Sequence, residues 1–204
     1  MKHEVAAIVE GHGEVKAVGV LIRRIAAEVR PEMSVDVLPP LRVPRAKLIK
    51  PDELERTVEL AARKTSGRGA VLVLVDSDDN CPAELGPELL HRARRARGDI
   101  PLGVVLAKRE YEGWFLAAAE SLAGCRGLNA ELVAPADPEG IRGAKEWLTN
   151  HMVAGAKYRE VLDQPALTAR FDLAAARRSD SFDKCFREIA RLVEELRVRT
   201  LPPA

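Results

Sequence analysis

The sequence predicts an α/β fold: a central, mostly parallel sheet of about four strands flanked by helices, followed by a helical C-terminal elaboration. Short apolar runs recur along the first half, at residues 5–9, 70–75 and 102–107. Stretches with helical spacing separate them. The run at 70–75 (AVLVLV) is apolar without alternation, as in a strand covered on both faces of a parallel sheet. Strand and helix alternating at this interval imply parallel pairing with crossover helices.

Each element has a local reason. Residues 5–9 (VAAIV) form the first strand and end in Glu10-Gly11-His12-Gly13. Val15, Val18, Ile22, Ile25 and Val29 then fall on one helical face, and Pro31 ends that helix. Residues 34–43 alternate weakly and carry Pro39 and Pro40, which reduces them to an edge or broken strand. Pro51 and two acids open a helix to about residue 64. Residues 70–75 are the third strand, 82–97 a helix opened by Pro82, and 102–107 the fourth strand. Residues 110–122 are expected as a helix carrying Trp114 and Phe115. Beyond residue 124 only helices and loops are expected, at 141–150, 157–162, 166–173 and 181–199. The last is clearest, with Phe182, Phe186, Ile189, Val193 and Leu196 at helical spacing. The expected division is therefore an α/β core over 1–123 and a helical elaboration over 124–204 packed on it.

Composition narrows the function. Lys plus Arg number 32 against 31 Asp plus Glu, a formal charge of +1. A globally basic nucleic-acid coat protein is excluded, whereas a local basic patch is not. At 47% hydrophobic residues, disorder over most of the chain is excluded too. No run reaches the roughly 18 apolar residues of a membrane helix, and the N-terminal residues lack a signal-peptide pattern. Cys81, Cys125 and Cys185 are too dispersed for a Cys-x-x-Cys zinc site. Reduced thiols and a cytoplasmic location are expected.

Ligands of open α/β sheets bind outside the carboxyl ends of the strands. Glu10 and Glu14 follow the first strand there, and Asp76, Asp78 and Asp79 follow the third. Residues two apart in extended chain share a side, so Asp76 and Asp78 are expected to face one way if strand geometry persists. Gly11 and Gly13 are expected to let the backbone turn tightly and approach its surroundings. Crowded carboxylates repel unless a proton or a cation compensates. Oxygen ligands without His or Cys suit Mg²⁺ or Mn²⁺. The expected chemistry is metal-assisted phosphoryl transfer. Read singly, each motif is equally an ordinary turn, and His12, Glu110 and Glu112 are equally a loop residue and helix N-terminal acids.

A strand ending Ile-Val-Glu-Gly, a helix, and a later strand ending Asp-x-Asp resemble the Toprim domain of topoisomerases, bacterial primases, OLD-type nucleases and recombination-repair proteins. Val-Glu-Gly-x-Gly-Glu-Val, Leu-Val-Asp-Ser-Asp-Asp-Asn-Cys-Pro, Arg-Glu-Tyr-Glu-Gly-Trp-Phe-Leu-Ala and Arg-Arg-Ser-Asp-Ser-Phe-Asp-Lys look like a bacterial Toprim-related family named only as a domain of unknown function. Its members are often encoded beside AAA-type ATPases of defence loci. The resemblance implies Glu10 as metal ligand or general acid/base, and Asp76 and Asp78 as metal ligands. It implies Glu14, Asp79 and Glu112 as further ligands. It also implies a nuclease acting on nucleic acid with an ATPase partner. Topoisomerase action is not implied, because the chain lacks a cleavage-segment tyrosine and gate domains.

A nuclease also needs cations for phosphate. Lys108 and Arg109 end the fourth strand, and Arg92 and Arg95 share a face of the preceding helix. Lys145, Lys157, Arg177, Arg178 and Lys184 lie in the C-terminal half. Among them Lys184 is the chosen catalytic candidate, for the transition-state charge that a lysine neutralises in OLD-type nucleases. Ser181 is read alternatively as a helix N-cap. Two other functions stay open: a regulatory subunit that binds metal or nucleotide without turnover, and a phosphatase using Asp76 as nucleophile. A homo-oligomer is compatible with all three, and a membrane partner is not expected.

Overall fold

Five strands pair in parallel in the computed structural model, which describes residues 3–200. Residues 1–2 and 201–204, the outer ends of the two expected segments, lie outside the described residues. The first half runs β1 (His3–Val9), α1 (Glu14–Val29), β2 (Val35–Val37), β3 (Leu41–Arg42), α2 (Arg45–Leu48), α3 (Glu53–Lys64), β4 (Ala70–Asp76), α4 (Pro82–Ala96) and β5 (Leu102–Ala107). Then come α5 (Gly113–Ala117), two short 3₁₀ turns, α6 (Ala144–Asn150), α7 (Glu160–Thr168), α8 (Leu173–Ala176) and α9 (Asp180–Thr200).

The sheet order is β2-β1-β4-β5, with β3 also on β1. Pro39 and Pro40 explain the double pairing. Prolines cannot donate to a ladder, so the edge strand breaks. β2 pairs with the start of β1 (Val5 opposite Val37) and β3 with its end (Val9 opposite Arg42). The chain leaves β1 on one side and returns on the other as β4. Between β1 and β4 is thus a topological switch point, where open α/β sheets leave a crevice.

Strand residues alternate between two cores. Val5, Ala7 and Val9 of β1 and Leu72 and Leu74 of β4 face α1, α5, α7 and α9. Ala6, Ile8, Val71, Val73 and Val75 face α3 and α4. Both faces are buried, which accounts for the continuous apolar run in β4. The residues after 124 complete the first of these cores. Trp114 of α5 meets Phe182 of α9 at 5.3 Å between ring centres, and Phe115 meets Phe171 at 5.6 Å.

Several local expectations change. The helix expected over 110–122 shortens to α5 and a 3₁₀ turn. Segments expected at 157–162 and 166–173 become a single α7 across Pro165, followed by the short α8. Ser181 is not the cap of α9. Ser179 Oγ accepts the Phe182 amide, and Glu139 Oε1 accepts the Ser181 amide. Ser181 Oγ instead accepts the Lys108 amide and Trp114 Nε1, tying α9 to the end of β5. Among the described residues no helix is long and apolar enough to cross a membrane.

Because Phe182 is fully buried against Trp114 and Phe171, Phe182→Ala is expected to cost about 3–5 kcal/mol. Urea denaturation followed by both circular dichroism and Trp fluorescence is expected to show one shared transition at lower urea. Separate transitions by the two probes would contradict a shared core.

Candidate functional site

Parallel pairing of β1 with β4 brings Glu10 and Asp76 to neighbouring strand ends. Their surroundings are built largely by backbone. Glu14, the first residue of α1, turns back so that its Oε2 accepts the amides of Glu10 (3.0 Å) and Gly11 (2.6 Å). That carboxylate, buried, folds the Glu10–Gly13 loop. The glycines serve by lacking Cβ rather than through positive φ. A Cβ on Gly13 would stand 2.0 Å from Gln164 Oε1, and one on Gly11 would stand 3.1 Å from Glu14 Oε1. The surface that Gly13 approaches is α7, whose Glu160 Oε1 accepts the Gly13 amide at 3.0 Å.

Asp76 ends β4 and its Oδ1 accepts the Tyr111 amide at 2.9 Å. The buried Ser77 accepts the Arg109 amide through Oγ. The expectation that strand geometry carries Asp76 and Asp78 to one side fails beyond Asp76. Asp78 has φ +49° and its amide donates to the Arg109 carbonyl; Arg109 itself has φ +61°. Asp78 instead reaches Arg45, whose Nη1 donates to its Oδ2 at 3.1 Å. Asp79 is exposed and paired with Arg142 (2.8 Å) and Arg109 (3.7 Å). Asp78, Asp79, Arg109, Glu110, Arg142 and Gly143 line an open cavity of about 170 Å³.

Glu112 is fully buried. Its Oε1 accepts Tyr158 Oη at 2.8 Å and Gln164 Nε2 at 3.4 Å, and Lys145 Nζ stands 3.9 Å from its Oε2. Lys145 also pairs with Glu160 at 3.2 Å.

These acids perturb one another. Burial, then Glu14, Glu112 and Glu10, hold the Asp76 carboxyl well above the carboxylate range, with Lys145 opposing. Burial and Asp78 raise Glu10, while Arg45 and two backbone amides pull it down. Burial raises Glu14 against its two amide hydrogen bonds. Glu112 is pushed up to about 7, by burial first, against the pull of Lys145 and Tyr158. Burial works against the Lys145 charge, yet Glu112 and Glu160 outweigh it and its pKa is raised.

Glu10, Glu14, Asp76 and Glu112 thus act on one site, and Asp78 reaches it through Glu10. Buried oxygens on Glu10, Glu112 and Gln164 have no hydrogen-bond partner. An all-oxygen donor set with orphaned carboxylate oxygens fits a hard divalent cation. As placed, no three His, Cys, Asp or Glu side chains among the described residues converge on a point that could hold it.

The expected cations are distributed differently. Lys184 pairs with Glu188 at 2.6 Å; Glu188 lies over Gly103 near the start of β5, so Lys184 is committed along α9, and the lysine acting on Asp76 is Lys145. Arg92 is a structural clamp, donating to both oxygens of Glu55 and to the carbonyls of Ile49 and Lys50. Arg95 lines a groove with Arg92 between α3 and α4. Lys108 and Arg109 do stand at the site's end of the sheet. Four contributors went unread in the sequence: Arg45, Tyr158, Glu160 and Gln164. For the last two, the i,i+4 spacing on α7 was a usable signal.

The family model described as domain of unknown function (DUF4276) matches residues 9–190. No curated protein and no solved structure matches the chain.

Gly13→Ala is expected to destabilise the fold by about 1–3 kcal/mol through overpacking against α7, read as a lower urea midpoint. An unchanged midpoint would contradict that close approach. For Glu112, a folded pKa of about 7 against an ordinary 4.5 means the folded state keeps a proton the unfolded state has lost. Stability therefore falls between those pH values, by about 3 kcal/mol, and levels off above. Wild type minus Glu112→Gln, measured by urea denaturation in chelator from pH 5 to 8, is expected to show this fall. Parallel curves would contradict it.

Proposed function

The chain belongs to the DUF4276 family, and we propose that it is a Mg²⁺- or Mn²⁺-dependent phosphoryl-transfer protein, a nuclease that acts with a partner ATPase. The observation that carries this reading is the mutually repelling carboxylate group at the β1/β4 switch point, with Glu14 and Glu112 buried and Glu10 and Asp76 half-buried. Such a group is stable at neutral pH only with protons or a cation. The resemblance of the strand-Glu and strand-Asp-x-Asp segments to Toprim domains points to the same chemistry.

Glu10, Asp76 and Asp78 would hold the cation, with Glu112 beside them. When bound, it would polarise a phosphodiester and favour attack by water. Glu14 fixes the loop that carries Glu10. Lys145 supplies the opposing positive charge. Glu112 holds a proton near neutrality, which suits transfer to or from a reacting oxygen. Arg109 and Arg142 line the cavity beside Asp78 and Asp79, and Lys108 follows β5; a phosphate backbone would enter there.

The ion pairs on Asp78 and Asp79 favour a second reading, a regulatory subunit whose site is already neutralised. Incubation with nicked, linear and single-stranded DNA and RNA separates the two. Cleavage in Mg²⁺ or Mn²⁺ is expected, with losses of at least about 10²-fold in Glu10→Ala and Asp76→Ala. Cleavage that needs no metal, or survives both substitutions, would overturn the assignment. Absence of cleavage with and without the partner ATPase would favour the regulatory reading.

A further inference from the structure

Arg45 reaches the site because the edge strand is broken. β3 pairs only with the last residues of β1, and the Val43 amide donates to the Val9 carbonyl. The chain then turns into α2 and delivers Arg45 beside Glu10. The Arg45 side chain is only 11% exposed. A buried guanidinium is normally satisfied in full, and Arg92 shows what that looks like, with Nε and both terminal nitrogens engaged.

Arg45 differs. Its Nε is buried without a partner. One nitrogen meets Asp78, a carboxylate that is itself 62% exposed. The other meets the Ser77 carbonyl at 3.4 Å and the Asn80 side chain. The contact with Asp78 is single rather than the paired fork typical of a strong arginine–carboxylate bond. Asp78 has left-handed backbone, and Glu10, close enough to feel both charges, keeps a buried oxygen without a hydrogen bond.

We infer that Arg45 is an exchangeable counter-ion of the candidate site: it occupies Asp78 in the metal-free protein, yields that carboxylate to the divalent cation, and then offers its guanidinium to the substrate phosphate. This rests on the reading of Glu10, Asp76 and Asp78 as a cation site. A strongly hydrated divalent ion competes for Asp78 with two charges against one, and it can use Glu10 at the same time. The released planar fork matches a phosphate's oxygens. Arg45 is thereby a positioning residue for metal loading and a phosphate ligand afterwards.

Calorimetric titration of the full-length protein with Mn²⁺ tests the exchange without turnover. Arg45→Ala is expected to bind Mn²⁺ about fivefold more tightly than wild type, because the competing ion pair is gone. Arg45→Met keeps the side-chain stem and is expected to behave alike if the alanine variant folds poorly. Arg45→Lys is expected to stay near wild type. Adding Asp78→Asn to Arg45→Ala is expected to abolish the gain. In Ca²⁺, binding of a labelled single-stranded oligonucleotide is expected to weaken in Arg45→Ala, with the salt dependence reduced by about one phosphate contact. Mn²⁺ binding by wild type that is unchanged or weakened in folded Arg45→Ala and Arg45→Met would overturn the inference alone. Failure of wild type to bind Mn²⁺ would overturn the cation-site reading with it.

Discussion

Parallel pairing of β1 with β4 sets Glu10 and Asp76 at adjacent strand ends, and the surrounding polar structure is organised around the burial of Asp76 among Glu14 and Glu112, to which Glu10 adds. The fold answers on two sides. Toward α6 and α7, Lys145 faces Glu112 and Glu160, while Tyr158 and Gln164 donate to Glu112. Toward α2, Arg45 holds Asp78 beside Glu10. Neither answer is complete, since one oxygen each of Glu10 and Glu112 remains without a hydrogen bond.

The C-terminal helices are therefore more than a cover. α7 presses Glu160 and Gln164 against Gly13, so the loop bearing Glu10 is held from both ends. Ser181 and Glu139 fasten the start of α9 to the end of β5, which fixes the loop bearing Glu112. Packing of Trp114, Phe171 and Phe182 supplies the apolar counterpart. Burial makes the carboxylates costly, and that cost is what a bound cation would relieve.

The strand plan was legible because β4 and β5 are buried on both faces and read as uninterrupted apolar runs. The broken edge strand was legible from Pro39 and Pro40. Glu10, Asp76 and Glu112 were legible because they follow apolar runs or lie in a recognisable segment. α7 was not. Its inward face carries Asp163, Gln164 and Thr168 beside a single leucine, Leu167, while Val161 and Leu162 are exposed. Hydrophobic periodicity is therefore divided between the two sides of that helix. Lys184 pairs with Glu188 one turn further along α9, a partner the i,i+4 spacing offered and the family-like segment did not bring to notice. Arg45 was hidden because its importance comes from where β3 pairs, a long-range fact.

The proposed divalent-cation site lies among the carboxylates at the β1/β4 switch point. A crystal soaked in Mn²⁺ and measured at the manganese absorption edge tests it most directly. Anomalous density bounded by Glu10, Asp76 and Asp78 is expected, with Arg45 moved off Asp78. Crystals saturated with Mn²⁺ that show no density there, with Arg45 still on Asp78, would contradict it.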